Sequence, residues 1–297
     1  MKPNIIKSVQ SHLHFQKVPF FWRLTVLMLL TLGILIYSSA LPNPFIWDDF
    51  ELIIHNPLVR GWSHIPKLFA GNVVENSSFY RPLQMLSYVF DYEIWGINAK
   101  GFRLTNILLH VSVAVCLCWF LVVITRNRLT GLLAGLVFLV HPVHNEAVTY
   151  VSGRAEPLVA IFMLLTFILY LGYLEKGRLT DYLLCVGCFL LALLSKEYAL
   201  ILPALILAYH MVFNRRVNRE LFFMLVALAV TYGALRLYNV IGVADMHEKT
   251  PTILLQRLPG SFYAQGMYLK LLIFPQNLFL GYGQKLYSWS NPLVWGG

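Results

Sequence analysis

The chain has 297 residues, 58% of them hydrophobic and 12% charged, with a mean hydropathy of +0.64. This composition excludes a soluble globular domain of ordinary usage and defines an all-α polytopic membrane protein. The net charge of +9 fits inner-face retention signals and contacts with anionic lipid, and carries no argument for nucleic acid.

In chain order, apolar runs cover Leu24–Ala40, Leu104–Ile124, Leu132–Val140, Pro157–Leu174, Tyr182–Leu194, Tyr198–Phe213, Leu221–Asn239 and Phe262–Leu280. Crossing hydrocarbon takes roughly 20 residues, so these runs predict about eight transmembrane helices. Leu24–Ala40 is longer than the apolar core of a cleaved signal and reads as a signal anchor. Basic residues fall at Lys2, Lys7, Lys17 and Arg23, at Arg126 and Arg128, at Lys176 and Arg178, and at Arg215, Arg216 and Arg219. Retention of Lys and Arg on the inner side places all four sets, and the N-terminus, in the cytoplasm. The same rule splits Asp181–Phe213 into two passes, because a single pass would export Arg215–Arg219. Lys196-Glu197 then sits at an outer turn.

No 20–50-residue repeat is visible, so residues 1–297 are expected to form one membrane domain. The apolar ending Asn291–Gly297 is expected to belong to a longer protein. Cys116, Cys118, Cys185 and Cys188 all lie inside apolar runs, where packing is a better reading than a disulfide framework or thiolate site. Gly131-x-x-x-Gly135 predicts close helix packing, and Asn106 and His110 predict interhelical hydrogen bonds.

The segment 41–103 is the large first outer loop. Pro42, Pro44 and Pro57 favour extended or turn geometry around Phe45-Ile-Trp-Asp-Asp49. Farther on, Leu83, Leu86, Phe90 and Ile94 recur at helical spacing, predicting a helix lying along the membrane surface on that stripe, with Asp91 and Glu93 off it. Trp47, Trp62, Tyr80 and Trp95 suit an interfacial aromatic belt. Asn76-Ser77-Ser78 has the pattern of a glycosylation acceptor.

Chemistry-bearing residues gather at the outer ends of these runs. Asp48 and Asp49 follow the first; a carboxylate at a low-dielectric boundary has raised proton affinity, as a general base for a hydroxyl requires, although an Asp-Asp pair alone is also an ordinary solvated turn. Along extended backbone neighbouring side chains diverge, so one of the two is expected to face substrate. His141, His144 and Glu146 crowd the end of Leu132–Val140; a divalent metal there is the weaker alternative to structural histidines or substrate contacts, because Pro142 breaks the helical spacing. Arg154 with Glu156 opens the next run, and Lys196 with Glu197 lies between the two after it. Charges at membrane depth pair with one another or serve a polar pathway, and Arg or Lys is also the natural ligand of a lipid phosphate. Arg81 belongs to the same face.

Phe45-Ile-Trp-Asp-Asp49, Tyr80-Arg-Pro-Leu83, Asn106-Ile-Leu-Leu-His110, His141-Pro-Val-His-Asn-Glu-Ala147 with Gly153-Arg-Ala-Glu156, and Ser195-Lys-Glu197 resemble, in sequence and order, the transmembrane O-mannosyltransferases that carry tetratricopeptide repeats. More distantly they resemble protein O-mannosyltransferases of the GT-C class. The repeats themselves do not occur within these residues, and Leu280-Gly281-Tyr282 lacks the acidic residue that often precedes this tyrosine in the family.

The resemblance implies a GT-C-like bundle that moves a mannose-like sugar, with inversion, from a polyprenyl-phosphate or dolichyl-phosphate donor to a protein or glycolipid hydroxyl. The site would face the periplasmic, extracellular or lumenal side, with no required cofactor. Asp48 or Asp49 would act as base. Arg154, Lys196 and Arg81 would stabilise the leaving phosphate, and His141, His144, Glu146, Glu156 and Glu197 would contact substrate or orient those groups. The alternative is a transporter or lipid flippase, whose ionisable groups would lie at the midplane rather than at helix ends.

Overall fold

The computed structural model of the chain describes residues 20–72, 79–214, 216–244, 251–276 and 278, and side chains other than those of 239–244 and 251–257. The Lys2–Lys17 tail, the Asn76–Ser78 sequon, Arg215 and the Leu280–Tyr282 stretch lie outside them. Helix is the dominant regular structure of the described residues, which contain no strand. The protein is an all-α polytopic membrane protein.

Helix α1 spans Phe20–Tyr37. The loop after it carries the short helix α2, Ile65–Ala70, and α3, Pro82–Trp95. Then follow α4 (Ala99–Thr125), α5 (Arg128–Val140), α6 (Asn145–Thr149) and α7 (Ala155–Lys176). The last four are α8 (Leu179–Ser195), α9 (Leu202–Val212), α10 (Arg219–Ala244) and α11 (Pro251–Ile273).

Local chemistry sets these boundaries. Asn98 caps α4 by accepting the Lys100 N–H, and Asn127 caps α5 by accepting those of Leu129 and Thr130. Such caps satisfy donors that a helix N-terminus leaves orphaned. Arg126 (φ 60°) and Gly177 (φ 63°) adopt the left-handed conformation that ends a helix, giving tight α4–α5 and α7–α8 connections. Pro142 follows His141 and bends the path by 54° between α5 and the Pro142–Thr149 segment.

Four described helical segments are long and apolar enough to cross a membrane: Phe20–Ala40, Ala99–Thr125, Val151–Lys176 and Arg219–Tyr238. The bent pair Arg128–Val140 and Pro142–Thr149 raises the number to five, and Leu179–Ser195 and Glu197–Val212 are apolar but shorter. Of the eight expected crossings, four or five are full-length spans among the described residues; α5, α8 and α9 are each cut short by a polar turn, and α11, which covers part of the Phe262–Leu280 run, is not among the full-length spans. The run Asp181–Phe213 breaks at Lys196, whose backbone is extended (φ −163°, ψ 146°) between α8 and a short 3₁₀ turn.

Packing differs between the two parts of the molecule. Leu29, Val111, Ala114 and Leu139 join α1, α4 and α5. A Cβ on Gly131 would lie 2.6 Å from the Cys118 carbonyl oxygen, so α5 approaches the α4 backbone as the small-residue spacing predicts. Phe167, Tyr170, Phe189, Leu193, Ile206 and Leu225 join α7 to α8, α9 and α10. The loop has its own core of Leu52, Ile53, Val59, Leu68, Met85, Tyr88 and Val89 against Phe102 and Val151. The bundle's outside stays apolar, with Leu27, Leu133, Val137 and Leu183 exposed, as lipid-facing positions require.

Helix α3 keeps its apolar stripe on the outside, as a helix lying along a membrane surface on that stripe would. Its buried face carries Gln84, Met85, Tyr88, Val89 and Asp91, whereas Phe90 and Ile94 are exposed and Leu83 and Leu86 only partly buried. The apolar stripe therefore faces away from the protein core. The polar residues turn inward because a buried cation awaits them there.

Candidate active site

The first aspartates diverge sharply. Trp47 sits at φ 50°, a left-handed conformation that non-glycine residues rarely adopt. Beyond this kink Asp48 is exposed and Asp49 fully buried. The Asp49 carboxylate accepts hydrogen bonds from the Ile46 N–H (3.0 Å), the Ser152 N–H (2.8 Å) and the Ser152 hydroxyl (2.5 Å). Burial pushes its pKa above the usual carboxylate range, opposed by these bonds and by the charge of Arg103. Asp48 instead donates its backbone N–H to the Tyr150 hydroxyl at 3.2 Å, and its carboxylate lies against the same hydroxyl. Burial, then the Asp48 charge, holds that phenol well above its ordinary pKa.

Arg154 lies at the mouth of α7 and is completely buried. It pairs with Asp91 at 2.5 Å, donates to Asn106 Oδ1 (2.7 Å), the Phe102 carbonyl (2.7 Å) and the Ser87 carbonyl and hydroxyl (3.3 and 3.2 Å), and stacks over Tyr88. A guanidinium has five N–H donors, and here its three nitrogens are all engaged by the protein. The sequence reading made Arg154 a phosphate ligand with Glu156 as neighbouring anion. The geometry corrects that pairing: its carboxylate is Asp91, 63 positions away along the chain.

Arg103, almost as deeply buried, ties the strands of this knot together. It donates to the carbonyls of Asn43, Pro44 and Thr149. Asn106 donates to the carbonyls of Tyr150 and Val151, and Gln84 to that of Ser152. The Asp48–Asp49 loop, α3, the head of α4 and the Tyr150–Arg154 turn are thereby one hydrogen-bonded unit.

A second set of charges is less enclosed. Lys196 bonds to Glu156, not Glu197, and lies 4.3 Å from the centre of the Tyr198 ring. Glu197 takes Arg81 at 3.0 Å. Glu146 lies within electrostatic reach of Glu156 and Lys196. Glu156 keeps 44% of its side chain exposed, so this pair borders open space.

The histidines are placed differently. His141 Nδ1 accepts the Val143 N–H and its Nε2 meets the Leu272 carbonyl at 3.1 Å. His144 packs on Phe138, ring centres 4.1 Å apart, and beside His110. Among the described residues no three His, Cys, Asp or Glu side chains converge as a metal-binding group. His110 meets the Leu139 carbonyl and Tyr37, as expected of an interhelical residue.

Sequence reasoning missed Asp91, Gln84, Ser152, Tyr150 and Arg103. Arg103 and Asp91 carried one usable signal, charge beside an apolar run; the others are ordinary polar residues whose partners are remote in sequence. The opposite end of the bundle gathers Arg126 with Glu175 at 2.7 Å and Arg128 over the Phe21 ring.

No family model matches the chain, and no solved structure does. Curated relatives do. Over 291 residues, 91% of this chain and 40% of the relative, it is 29% identical to Protein O-mannosyl-transferase F38B6.6 of Caenorhabditis elegans. It is 34% identical over 162 residues to Protein O-mannosyl-transferase TMTC1 of Homo sapiens, covering 52% of the chain and 18% of the relative. It is 32% identical over 200 residues to Protein O-mannosyl-transferase TMTC2 of Homo sapiens, covering 62% and 24%. The chain spans 40% or less of the length of these three relatives. Over these stretches the chain is similar to proteins named protein O-mannosyl-transferases, in line with the resemblance noted in its sequence.

Proposed function

We propose that this chain is the membrane-embedded catalytic part of a GT-C type glycosyltransferase. It transfers a mannose-like sugar from a polyprenyl-phosphate or dolichyl-phosphate to an acceptor hydroxyl, on a protein by analogy with its named relatives. The observation that carries the reading is the contrast between Asp48, exposed and steadied by Tyr150, and the ion pairs Lys196–Glu156 and Arg81–Glu197 beside the same hydrogen-bonded unit.

Asp48 takes the proton of the acceptor hydroxyl as its oxygen bonds to the sugar's anomeric carbon. The bond from that carbon to the phosphate oxygen breaks on the opposite face, inverting the centre, and the electron pair leaves with the phosphate. Lys196 and Arg81 stabilise that charge through charge-assisted hydrogen bonds. Glu156 and Glu197 orient the two cations, and Glu146, His141 and His144 shape the border of the site. Asp49 and Arg154 hold the loop and the α7 mouth in register. No cofactor is required.

The active site faces the periplasmic, extracellular or lumenal side and the N-terminus the cytoplasm, a reading supported by the Arg and Lys distribution. A cysteine placed at Asn127 should resist an impermeant reagent added outside intact cells; labelling there would reverse the topology. The function itself is tested by incubating purified protein with radiolabelled dolichyl-phosphate and polyprenyl-phosphate sugars and a hydroxyl-bearing peptide. Transfer of label to the peptide is expected. Release from none of the lipids would end the proposal.

A further inference from the structure

Helix α10 holds a cation that the foregoing mechanism does not use. Beyond its first turn, Arg236 is the only charged residue in the stretch Arg219–Tyr238, which is apolar enough to cross a membrane. An ionisable group in such a stretch is costly unless partnered, and normally marks a functional pathway. Arg236 lies over the Tyr80 ring, 5.8 Å from its centre. No carboxylate of the described residues is within ion-pair distance of it, and its Nη1 is buried without a hydrogen-bond partner.

Its neighbours are also incompletely matched. Tyr232, one turn earlier on the same face, has a buried hydroxyl without a partner. Tyr232 shares its electrostatic surroundings with Arg236, Glu197, Tyr80 and Arg81. Glu197 has committed one oxygen to Arg81; its other oxygen, buried and unpartnered, is an acceptor that competes with any anion for these donors. Buried polar groups are ordinarily satisfied, so unmatched guanidinium and phenol donors beside a half-committed Arg81 describe a place shaped for an anion that brings several acceptor oxygens. A phosphate has that character, and the guanidinium fork suits it. The exposed Leu235 and Leu237 flank Arg236 in sequence, which offers apolar surface to a chain attached to that phosphate.

We propose that Arg236, with the Tyr232 hydroxyl and Arg81, binds the phosphate group of a polyprenyl-type lipid phosphate. This rests on the donor reading above, and adds α10 to a site that otherwise consists of the loop, α3, α7 and the Lys196 turn.

The test uses the full chain in nanodiscs, with dolichyl monophosphate incorporated at graded levels and inorganic phosphate as a separate arm. Binding is read from the shift in thermal unfolding. Wild-type protein should be stabilised by dolichyl monophosphate and not by millimolar inorganic phosphate. Arg236→Gln should weaken the lipid response at least tenfold, Arg236→Lys less, and Tyr232→Phe a few-fold.

A folded Arg236→Gln variant that binds dolichyl monophosphate like wild type overturns this inference while leaving the donor reading intact. Absence of any wild-type response defeats the donor reading itself. Equal stabilisation by inorganic phosphate overturns the lipid assignment. If Arg236→Gln fails to fold, Arg236→Lys and Tyr232→Phe decide, and wild-type affinity in both overturns the proposal.

Discussion

Arg154 and Lys196 are both buried basic side chains at the end of an apolar helix, yet they are satisfied in opposite ways. Arg154 has no exposure, a carboxylate from α3, an amide from α4, two oxygens of Ser87 and a carbonyl, with an aromatic ring stacked on it. Lys196 has one carboxylate, itself partly exposed, and one tyrosine ring. The first arrangement leaves no donor for a ligand. The second leaves two N–H groups of an ammonium free to turn toward one, since Lys has three donors. A charge that is fully matched inside the protein can hold elements together but cannot also recognise substrate; a half-matched charge at a boundary can do so. The same contrast separates Asp49, closed in by Ser152 and Ile46, from Asp48, which is exposed beside Tyr150.

The comparison breaks most visibly at the two aspartates. Asp48→Asn should reduce sugar transfer by ~10²–10⁴-fold, the usual worth of a general base, with an unchanged melting temperature and unchanged lipid-donor binding. Near-normal transfer in a direct lipid-donor assay would remove Asp48 from the chemistry.

Arg154→Met should act on stability instead. Removing one partner of a buried ion pair costs on the order of 3–5 kcal/mol, so the variant should lose folded protein in a detergent thermal-unfolding assay. A well-folded Arg154→Met protein impaired only in donor affinity would erase the distinction between the two cations.

A smaller effect tests Asp49 by pH. Its folded-state pKa is raised by burial, so near and above the unfolded value of about 4 the folded state holds the proton more tightly than the unfolded state. Its contribution to stability is therefore fully present below about pH 4 and is lost as pH rises through the raised value, by up to about 1.4 kcal/mol per pH unit. Melting temperatures of wild type and Asp49→Asn across pH 4 to about 7 should show the wild-type advantage shrinking upward. A difference independent of pH would mean that Asp49 is not held in a penalised charged state.

The smallest effect lies at the opposite end. Arg126 and Glu175 are partly exposed, and removing one partner of such a pair should change stability by only about 0–1 kcal/mol. A loss in Arg126→Ala as large as in Arg154→Met would show that burial is not what separates these ion pairs.

The amino-acid sequence by itself determined the membrane class, the position of each apolar run, the close approach at Gly131 and the interhelical roles of Asn106 and His110. Those follow from quantities local to a few turns: transfer energy summed over a run, 3.6-residue spacing, and the absence of a side chain. Tertiary structure decided the rest. Hydropathy gave α3 an outward apolar stripe, but only the packing set the partners of its other face, where Asp91 meets Arg154 and Gln84 the Ser152 carbonyl. The adjacent aspartates were expected to diverge along extended backbone; they do diverge, but on helical backbone (Asp49 φ −59°, ψ −31°) that follows a left-handed Trp47. Glu197 looked like the partner of Lys196 and Glu156 like that of Arg154, yet the pairs are Arg81–Glu197, Lys196–Glu156 and Arg154–Asp91. Each joins residues at least 40 positions apart. Which charge neutralises which depends on how helices pack side by side, and no local period in a chain encodes that choice.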